Sequence, residues 1–454
     1  MRRHSTWLAT LLIGLVCTLG CAQLSAAGQF PKAPSTAWAR SAAPGGDRLN
    51  QFTGRLSDLR ADVRSNVIKQ LALLTGSDET TTAGFGYSVA ISGNVIVVGS
   101  PWATVGGNTW QGEAYVFVKP ATGWANMTQT AILTASDGAA WSEFGTSVGI
   151  SGNTIVVGSY GSGASNAAAY VFVEPPTGWA GMTETAELTA TRGILPVVGI
   201  SGDVVVAWDP SNDGVEVFVE PAAGWTNMSP TAELTSSDGN PIGNSVTISG
   251  NTIVASAPAA TVGSNPYQGA LYLFVRPATG WANMTQTAIL SASDGESEDY
   301  LGASSNGVSI SGNTVLAGAP QHAVNGNFWQ GAAYLFVRPS GGWTNMTETA
   351  EFTAPDGGPV NLFGWSVFTS PGVAIVGAYW GGGDYQGAAY VYVKPAGGWA
   401  TTSQSTIELV GPGFASGFGA SVGMSGNILV VGADNPSDNG DDFFNAGYVF
   451  GPGR

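Results

Sequence analysis

The chain has 454 residues, of which 66 are glycine and 10% are charged, while hydrophobic residues make up 44%. This composition excludes a disordered chain and a helical bundle, and it is typical of many short strands joined by tight turns. The net charge of −16 is uneven, because residues 1–65 carry eight Lys/Arg against three Asp, and the remainder carries seven Lys/Arg against 28 Asp/Glu. Because the part of the chain after residue 65 is strongly acidic, it repels nucleic acid and anionic membranes, and we expect neither as a partner.

Residues 1–27 have the pattern of a secretory signal peptide. The basic residues 1–4 precede an apolar run over residues 7–16, and small residues follow at 25–27, where cleavage is expected. The apolar run is shorter than the roughly 18 residues that span a bilayer, so a transmembrane anchor is the less favoured alternative. We expect an exported bacterial protein that is secreted or held at the cell surface or in the periplasm.

Both cysteines, Cys17 and Cys21, lie in or beside this signal, so the mature body has neither a disulfide nor a thiol nucleophile. Residues 18–21 partly resemble a lipobox, which leaves a lipid anchor at Cys21 as an alternative to cleavage near Ala27. Residues 28–65 are rich in Pro, Ala, Ser, Gly and Arg and lack periodicity, which predicts a flexible linker.

Residues 66–454 contain a unit that repeats seven times. Its marker is Ile-Ser-Gly-Asn or a variant, and the serine stands at Ser92, Ser151, Ser201, Ser249, Ser311, Ser370 and Ser425. Successive serines are 48 to 62 residues apart, and repeats of about 50 residues are typical of β-propellers. The first unit holds four strand-like runs, at residues 85–91, 95–98, 113–118 and 130–134, and Ser-Gly-Asn suits the first hairpin turn. Four antiparallel strands per unit predict one propeller blade each.

The two ends of the repeat array complement each other. The seventh unit stops after its third strand, near Phe450, and residues 68–78 have the pattern of a fourth strand ahead of the first unit. A strand from the N-terminal side that completes the last blade would remove an open sheet edge. The predicted fold class is therefore all-β, a seven-bladed β-propeller of four-stranded blades with the last blade closed by an N-terminal strand.

A Gly-Trp pair recurs in six units. The pattern predicts that these tryptophans fill the gaps between neighbouring blades rather than bind a ligand. They are Trp124, Trp179, Trp225, Trp281, Trp343 and Trp399.

Two further motifs carry a family resemblance. Phe-Gly opens four units, at Phe85, Phe144, Phe363 and Phe418, and Gly-Ala-Pro stands at residues 318–320 with near matches elsewhere. The unit resembles the FG-GAP repeat, which builds the ligand-binding propeller of integrin α-chains and occurs in many bacterial exported proteins. The resemblance implies a propeller with a ligand-binding or adhesion function.

The repeats depart from the integrin pattern at one place. Where integrin-type repeats often carry an Asp-rich calcium loop, this chain has only Ser-Gly-Asn, which is too short and has too few carboxylates for calcium. The sequence resembles the shorter bacterial variant, and we expect no cofactor. Calcium stays open as an alternative that is not expected.

Residues with catalytic or metal-binding chemistry are scarce. One histidine, His322, remains after signal removal and stands in a polar loop, which excludes a histidine-cluster metal site and disfavours a catalytic triad. Asp209, Ser211 and Asp213 precede a glycine with calcium-loop spacing, but no later acid completes the set. They are weak metal candidates, and a hairpin turn is the favoured interpretation.

The loops between the second and third strands of each unit are long and variable, and loops on a rigid scaffold commonly carry binding sites. Their aromatic residues suit a sugar ring or a protein partner. The candidate ligand-binding residues are Trp102, Trp110, Trp329, Tyr379, Trp380, Tyr385 and Phe443. For Trp110, Trp329 and Tyr385, packing between blades is an open alternative, whereas Trp102, Trp380 and Phe443 are expected to be exposed.

These observations predict an exported ligand-binding, adhesion or surface-interaction module for a protein or carbohydrate ligand, and not an enzyme. Two alternatives stay open. One is a structural module of the cell envelope that binds no small ligand, and the other is a glycan-processing propeller with paired carboxylates on the loop face.

Overall fold

A computed structural model of the chain describes residues 68–77, 83–161, 168–189, 195–382, 385–411, 417–434 and 445–452. Every regular secondary-structure element in this part of the chain is a β-strand. The predicted signal peptide (1–27), the predicted linker (28–65), the lipid-anchor candidate Cys21 and the candidate Phe443 lie outside the described residues.

Seven antiparallel four-stranded sheets form the seven blades, as predicted. Blade one contains β2 (Ser88–Ser92), β3 (Val95–Ser100), β4 (Glu113–Val118) and β6 (Ala131–Leu133). Blade two contains β7 (Val148–Ser151), β8 (Thr154–Val157), β9 (Ala168–Val173) and β10 (Ala186–Thr189). Blade three contains β11 (Val198–Ser201), β12 (Val204–Asp209), β13 (Gly214–Val219) and β14 (Ala232–Thr235).

The remaining four blades repeat this order. Blade four contains β15 (Val246–Ser249), β16 (Thr252–Ala257), β17 (Ala270–Val275) and β19 (Ala288–Ser291). Blade five contains β20 (Val308–Ser311), β21 (Thr314–Ala319), β22 (Ala332–Val337) and β24 (Ala350–Phe352). Blade six contains β25 (Phe363–Ser370), β26 (Val373–Ala378), β27 (Ala388–Val393) and β28 (Ile407–Val410). Blade seven contains β29 (Phe418–Ser425), β30 (Ile428–Ala433), β31 (Ala446–Pro452) and β1 (Ile68–Thr75).

The blades form a closed ring. The first strand of each blade contacts the first strands of both neighbouring blades, and β29 of blade seven contacts β2 of blade one. The predicted closing strand is confirmed, because β1 pairs antiparallel with β31 from Ile68 opposite Pro452 to Leu74 opposite Gly447. The outer edge of blade seven is therefore covered by a strand from the start of the array.

Three Met-Thr strands extend the outer edges of preceding blades. These are β5 (Met127–Thr128), β18 (Met284–Thr285) and β23 (Met346–Thr347), and they pair in parallel with β1, β14 and β19 respectively. The residue before each methionine is an asparagine whose side-chain oxygen accepts a backbone N–H of the same outer strand, as Asn283 does from Glu233 at 3.0 Å. The three Asn-Met-Thr segments thus join blades one, four and five each to the blade before it.

Seven hydrophobic clusters fill the spaces between neighbouring blades, one at each junction. Five Gly-Trp tryptophans are buried in them, and Trp399 is partly buried against the cluster between blades five and six. Trp281, for example, packs in the cluster shared by blades three and four. The prediction that these residues fill interblade gaps is confirmed.

The Phe-Gly and Gly-Ala-Pro motifs contact each other across junctions. Gly86, in the Phe-Gly pair of blade one, has a φ of 96°, a conformation that disfavours any residue with a Cβ. Its carbonyl accepts the Ser421 hydroxyl of blade seven at 2.7 Å, and it lies so close to Gly432 that a Cβ on Gly432 would meet it. The same pairing joins Gly318 of blade five to Gly364 of blade six. Both motifs are glycine-rich because two backbones meet there.

Candidate functional site

The loops between second and third strands lie beside the interblade loops, and we call this surface the loop face. In blade one it consists of residues 101–112 and the interblade residues 135–145. Three backbone hydrogen bonds join them, from Trp141 N to Thr109 O (2.9 Å), from Glu143 N to Trp110 O (3.0 Å) and from Phe144 N to Gln111 O (2.9 Å). The two loops are therefore held together as one surface.

A polar clamp fixes this loop in blade four, and an equivalent Asn-to-Gln hydrogen bond is present in blades one and five, from Asn108 to Gln111 and from Asn327 to Gln330. In blade four, Asn265 Nδ2 donates to the Gly295 carbonyl at 2.7 Å, and Gln268 Nε2 donates to the Ala292 carbonyl at 3.0 Å. Gln268 is 3% exposed, so these bonds are made out of solvent. The clamp ties the hairpin loop to the turn between blades and positions the aromatic residue next to it.

Backbone strain is concentrated on the loop face. Every described non-glycine residue with positive φ lies in these loops, and half of them are aromatic. They are Trp110, Trp141, Glu143, Asp213, Tyr267, Glu298, Tyr300, Asn325, Trp329, Val360, Leu362 and Tyr385. Bulky residues are rarely found in this conformation, and such outliers cluster at binding and active sites.

Four aromatic rings form a continuous strip on the loop face of blade one, which we call the aromatic strip. Tyr87 contacts Trp102 with ring centroids 5.5 Å apart, Trp102 contacts Trp110 at 6.4 Å, and Trp110 contacts Trp141 at 4.6 Å. Trp110 is 38% exposed and Trp141 is 56% exposed. The strip presents two large solvent-exposed indoles whose positions are fixed by their neighbours.

A second feature of the loop face is a buried histidine among carboxylates in blade five. His322 is 6% exposed, and its Nδ1 lies 2.9 Å from Asp299 Oδ2. Its Nε2 lies 3.9 Å from Asp294 Oδ2, and Glu351 completes a group whose ligand atoms all lie within 4.8 Å of one another. Burial lowers the pKa of His322, but Asp299, Asp294 and Glu351 outweigh it and hold the pKa above its usual value. Burial and the Asp294 charge raise the pKa of Glu351.

The family model named FG-GAP repeat matches four segments of the chain, at residues 68–117, 127–172, 284–336 and 346–392. The chain is an FG-GAP repeat protein. FG-GAP repeats are typical of extracellular or surface proteins.

A search of the curated proteins found no match. Among solved structures, the crystal structure of the computationally designed Ika8 protein is 15% identical and covers 84% of this chain and 99% of its own, with a TM-score of 0.46. The strand pairing of the seven four-stranded blades defines the fold. Among the described residues of the FG-GAP chain, no helix has the length and apolar character needed to cross a membrane.

The FG-GAP structure places the predicted ligand-binding residues at several positions on the loop face. Trp102 and Trp110 meet in the aromatic strip, and Tyr379 contacts Trp380 at 6.1 Å in blade six. Trp329 lies apart from both pairs, in blade five. Trp102 and Trp380 are half-buried rather than fully exposed. The reason at Trp102 is that its ring packs against Gly84 and Tyr87.

Both interpretations of Trp110, Trp329 and Tyr385 describe part of what is observed. The backbone carbonyl of Trp110 accepts a hydrogen bond from Glu143 of the next interblade loop, and that of Trp329 accepts one from Leu362. The rings nevertheless reach solvent, with Trp110 at 38% and Tyr385 at 49% exposure. The main chain packs at the junction while the side chain stays available for contact.

The interblade loops supply aromatic residues that sequence reasoning missed. Trp141 is the most exposed ring of the aromatic strip, and Tyr300 contacts Tyr267 at 5.7 Å. Trp365, near the start of β25, contacts Tyr379 at 5.1 Å. A signal was present, because Trp141 follows the Asp-Gly turn at Asp137 by four residues in the loop that faces Trp110.

The weak metal candidates in blade three form a hairpin turn. Asp209 pairs with Gly214 across β12 and β13, and its Oδ1 accepts the backbone N–H of Ser211 at 2.9 Å. Asp213 has a φ of 53° at the last position of the turn. Asp209 and Ser211 are thus used in a local side-chain-to-backbone turn.

Proposed function

We propose that this FG-GAP propeller is an exported ligand-binding or adhesion module and that the aromatic strip is its contact surface. The observation that carries the proposal is the pair Trp110 and Trp141, two exposed indoles at positive φ with centroids 4.6 Å apart. Strain of this kind persists only where the surrounding structure imposes it, and here backbone hydrogen bonds between the two loops do so.

The chemistry of the strip suits a carbohydrate or a protein partner. Indole rings offer a large apolar face at low conformational cost, and such residues dominate binding energy at interfaces. Glu143 lies beside Trp110 and places a carboxyl group next to the apolar surface. Burial raises the pKa of this carboxyl group. The acidic body disfavours nucleic acid as a ligand. We infer binding rather than catalysis as the function of this surface.

A paired variant tests the proposal. The mature protein is screened on a glycan array and in pull-downs against native exterior proteins, with and without calcium, and the captured ligand is then titrated. Trp110→Ala/Trp141→Ala is expected to weaken binding by at least tenfold, since loss of a buried aromatic anchor costs about 2 kcal/mol or more. The matched control is Phe328→Ala, which removes a ring that is also 56% exposed but lies in blade five.

Two results would contradict the proposal. One is that neither a sugar nor a protein is retained under any of these conditions. The other is that Phe328→Ala weakens binding as much as the strip variant does, which would place the contact surface elsewhere on the loop face.

A further inference from the structure

We propose that Asp294, His322 and Glu351 bind one divalent transition-metal ion of the Zn²⁺ type. The three side chains come from the loop before blade five, the hairpin loop of blade five and its outer strand β24. Their ligand atoms lie within 4.8 Å of one another. Tetrahedral Zn²⁺ with ligands at about 2.1 Å has them roughly 3.4 Å apart, so modest side-chain rotation completes the site.

His322 is oriented as a metal-binding histidine. Its Nδ1 lies 2.9 Å from Asp299 Oδ2, and in the neutral tautomer that donates to this carboxylate the lone pair is on Nε2, which faces Asp294. Asp299 is itself 4% exposed and held by the backbone N–H of Glu296 at 2.6 Å. A carboxylate bound to the far nitrogen of a ligating histidine is the usual outer support of such sites, because it fixes the tautomer and the ring orientation.

The histidine is particular to blade five. Its carbonyl accepts the N–H of Gly331 just as Ala103, Ala260 and Gly381 accept the equivalent glycine in blades one, four and six. These three positions hold small residues, so an imidazole is not needed to build the loop. His322 therefore adds a nitrogen ligand to a place where the fold requires only a backbone.

The contact between the strand tyrosine and the interblade aspartate also differs in blade five. In blades two, four and six a strand tyrosine donates to the interblade aspartate, as Tyr170 does to Asp137 at 2.9 Å and Tyr390 does to Asp356 at 2.7 Å. The equivalent Tyr334 is 0% exposed, and its hydroxyl lies beside Asp294 but beyond normal hydrogen-bond distance. Its ring meets His322 edge-on at 6.0 Å. The buried hydroxyl of Tyr334 thus lies in the same pocket as the three proposed ligands.

The electrostatics and the ligand types select the ion. Asp294, Asp299 and Glu351 surround a single imidazole, so a cation relieves the repulsion among three carboxylates. One imidazole nitrogen with two carboxylate oxygens favours Zn²⁺ over Ca²⁺ and Mg²⁺, which prefer oxygen ligands alone. Bound there, the ion would connect three segments of the chain and stabilise blade five.

The test titrates Zn²⁺ into the untagged full chain by isothermal calorimetry and records the melting temperature with and without the ion. We expect one site per chain and a higher melting temperature with Zn²⁺. His322→Ala, which places the blade-one and blade-four residue at this position, is expected to weaken binding at least 100-fold and abolish the shift. Glu351→Gln is expected to weaken binding at least tenfold.

Two variants separate ligation from general charge or folding effects. Glu408→Gln removes the equivalent strand carboxylate of blade six, where Gly381 stands in place of the histidine, and it should leave Zn²⁺ affinity unchanged. Asp299→Asn should lower affinity 10- to 100-fold through the orientation of His322. It should leave the melting temperature of the metal-free protein unchanged, because Asn361 accepts the same kind of loop N–H in blade six.

The proposal is overturned if Zn²⁺ does not bind or if His322→Ala binds it as tightly as the parent chain. Equal losses in Glu351→Gln and Glu408→Gln would also overturn it, because binding would then follow overall charge. Binding of Ca²⁺ alone, unaffected by His322→Ala, would show a carboxylate site that does not use the imidazole.

Discussion

At the scale of single residues, the carboxyl group of Asp434, directly after β30, has a strongly raised pKa. It is 3% exposed, and the Tyr379 hydroxyl donates to its backbone carbonyl at 3.2 Å. Burial raises the pKa of the Asp434 side chain to about 8, and hydrogen bonding from Tyr379 lowers it only in part. The folded chain therefore holds this carboxyl group in its neutral form under conditions in which an unfolded chain ionises it.

This gives stability a definite dependence on pH. Between the unfolded pKa, near 4, and the folded pKa, near 8, the folded state binds one more proton, so the free energy of unfolding falls as pH rises. Asp434→Asn removes this pH dependence. Between pH 4 and pH 8.5 we expect the free energy of unfolding of the variant to rise by roughly 3 to 5 kcal/mol relative to that of the parent chain. The measurement is urea unfolding at several pH values.

The matched control is Asp203→Asn, which removes an exposed carboxylate from a hairpin turn. It should run parallel to the parent chain across the same range. A parallel curve for Asp434→Asn would mean that the buried carboxyl group does not hold its proton in the folded state.

At the scale of strands and loops, each junction depends on the contact between two glycine motifs. Gly318 lies in β21 of blade five, at the junction with blade six, and a Cβ there would meet the carbonyl of Gly364. Because both partners are backbone atoms in adjacent sheets, neither can move aside without shifting a blade. The pairing of Phe-Gly with Gly-Ala-Pro is thus a steric requirement of the junction.

Gly318→Ala is therefore expected to destabilise the protein by about 1–3 kcal/mol, the usual cost of overpacking a tight interior. The measurement is the urea midpoint at constant slope. Gly341→Ala is the control, because a Cβ at that exposed turn meets nothing within 4 Å. Equal midpoints for the two variants would show that the junction yields easily to an added methyl group.

The strands and blade count could be predicted from the sequence because they depend on local patterns repeated seven times. The aromatic strip could be predicted only in part, since Trp110 and Trp141 meet through hydrogen bonds between two loops that the sequence shows separately. The burial of His322 was not predicted, because the surrounding residues are polar and its partner Asp299 lies 23 positions away. Such contacts arise from tertiary packing and leave no local periodicity.

At the scale of the whole molecule, the ring is closed by β1, the strand from the other end of the array. Leu74 of β1 is 0% exposed and packs in the cluster shared by blades seven and one, with Phe85 and Val449. Because this cluster contains residues from both ends of the repeat array, a defect there weakens the closure as well as one blade.

Leu74→Ala is expected to destabilise the chain by about 2–5 kcal/mol, the cost of a cavity in a packed core. Because every blade contacts two neighbours, we expect one transition at a lower temperature, coincident by tryptophan fluorescence and circular dichroism. The control Lys69→Ala changes an exposed residue of the same strand and should leave the melting temperature within one degree or so. If fluorescence and circular dichroism of Leu74→Ala changed at different temperatures, cooperative closure would be contradicted. Blade seven would then open while the other blades remained folded.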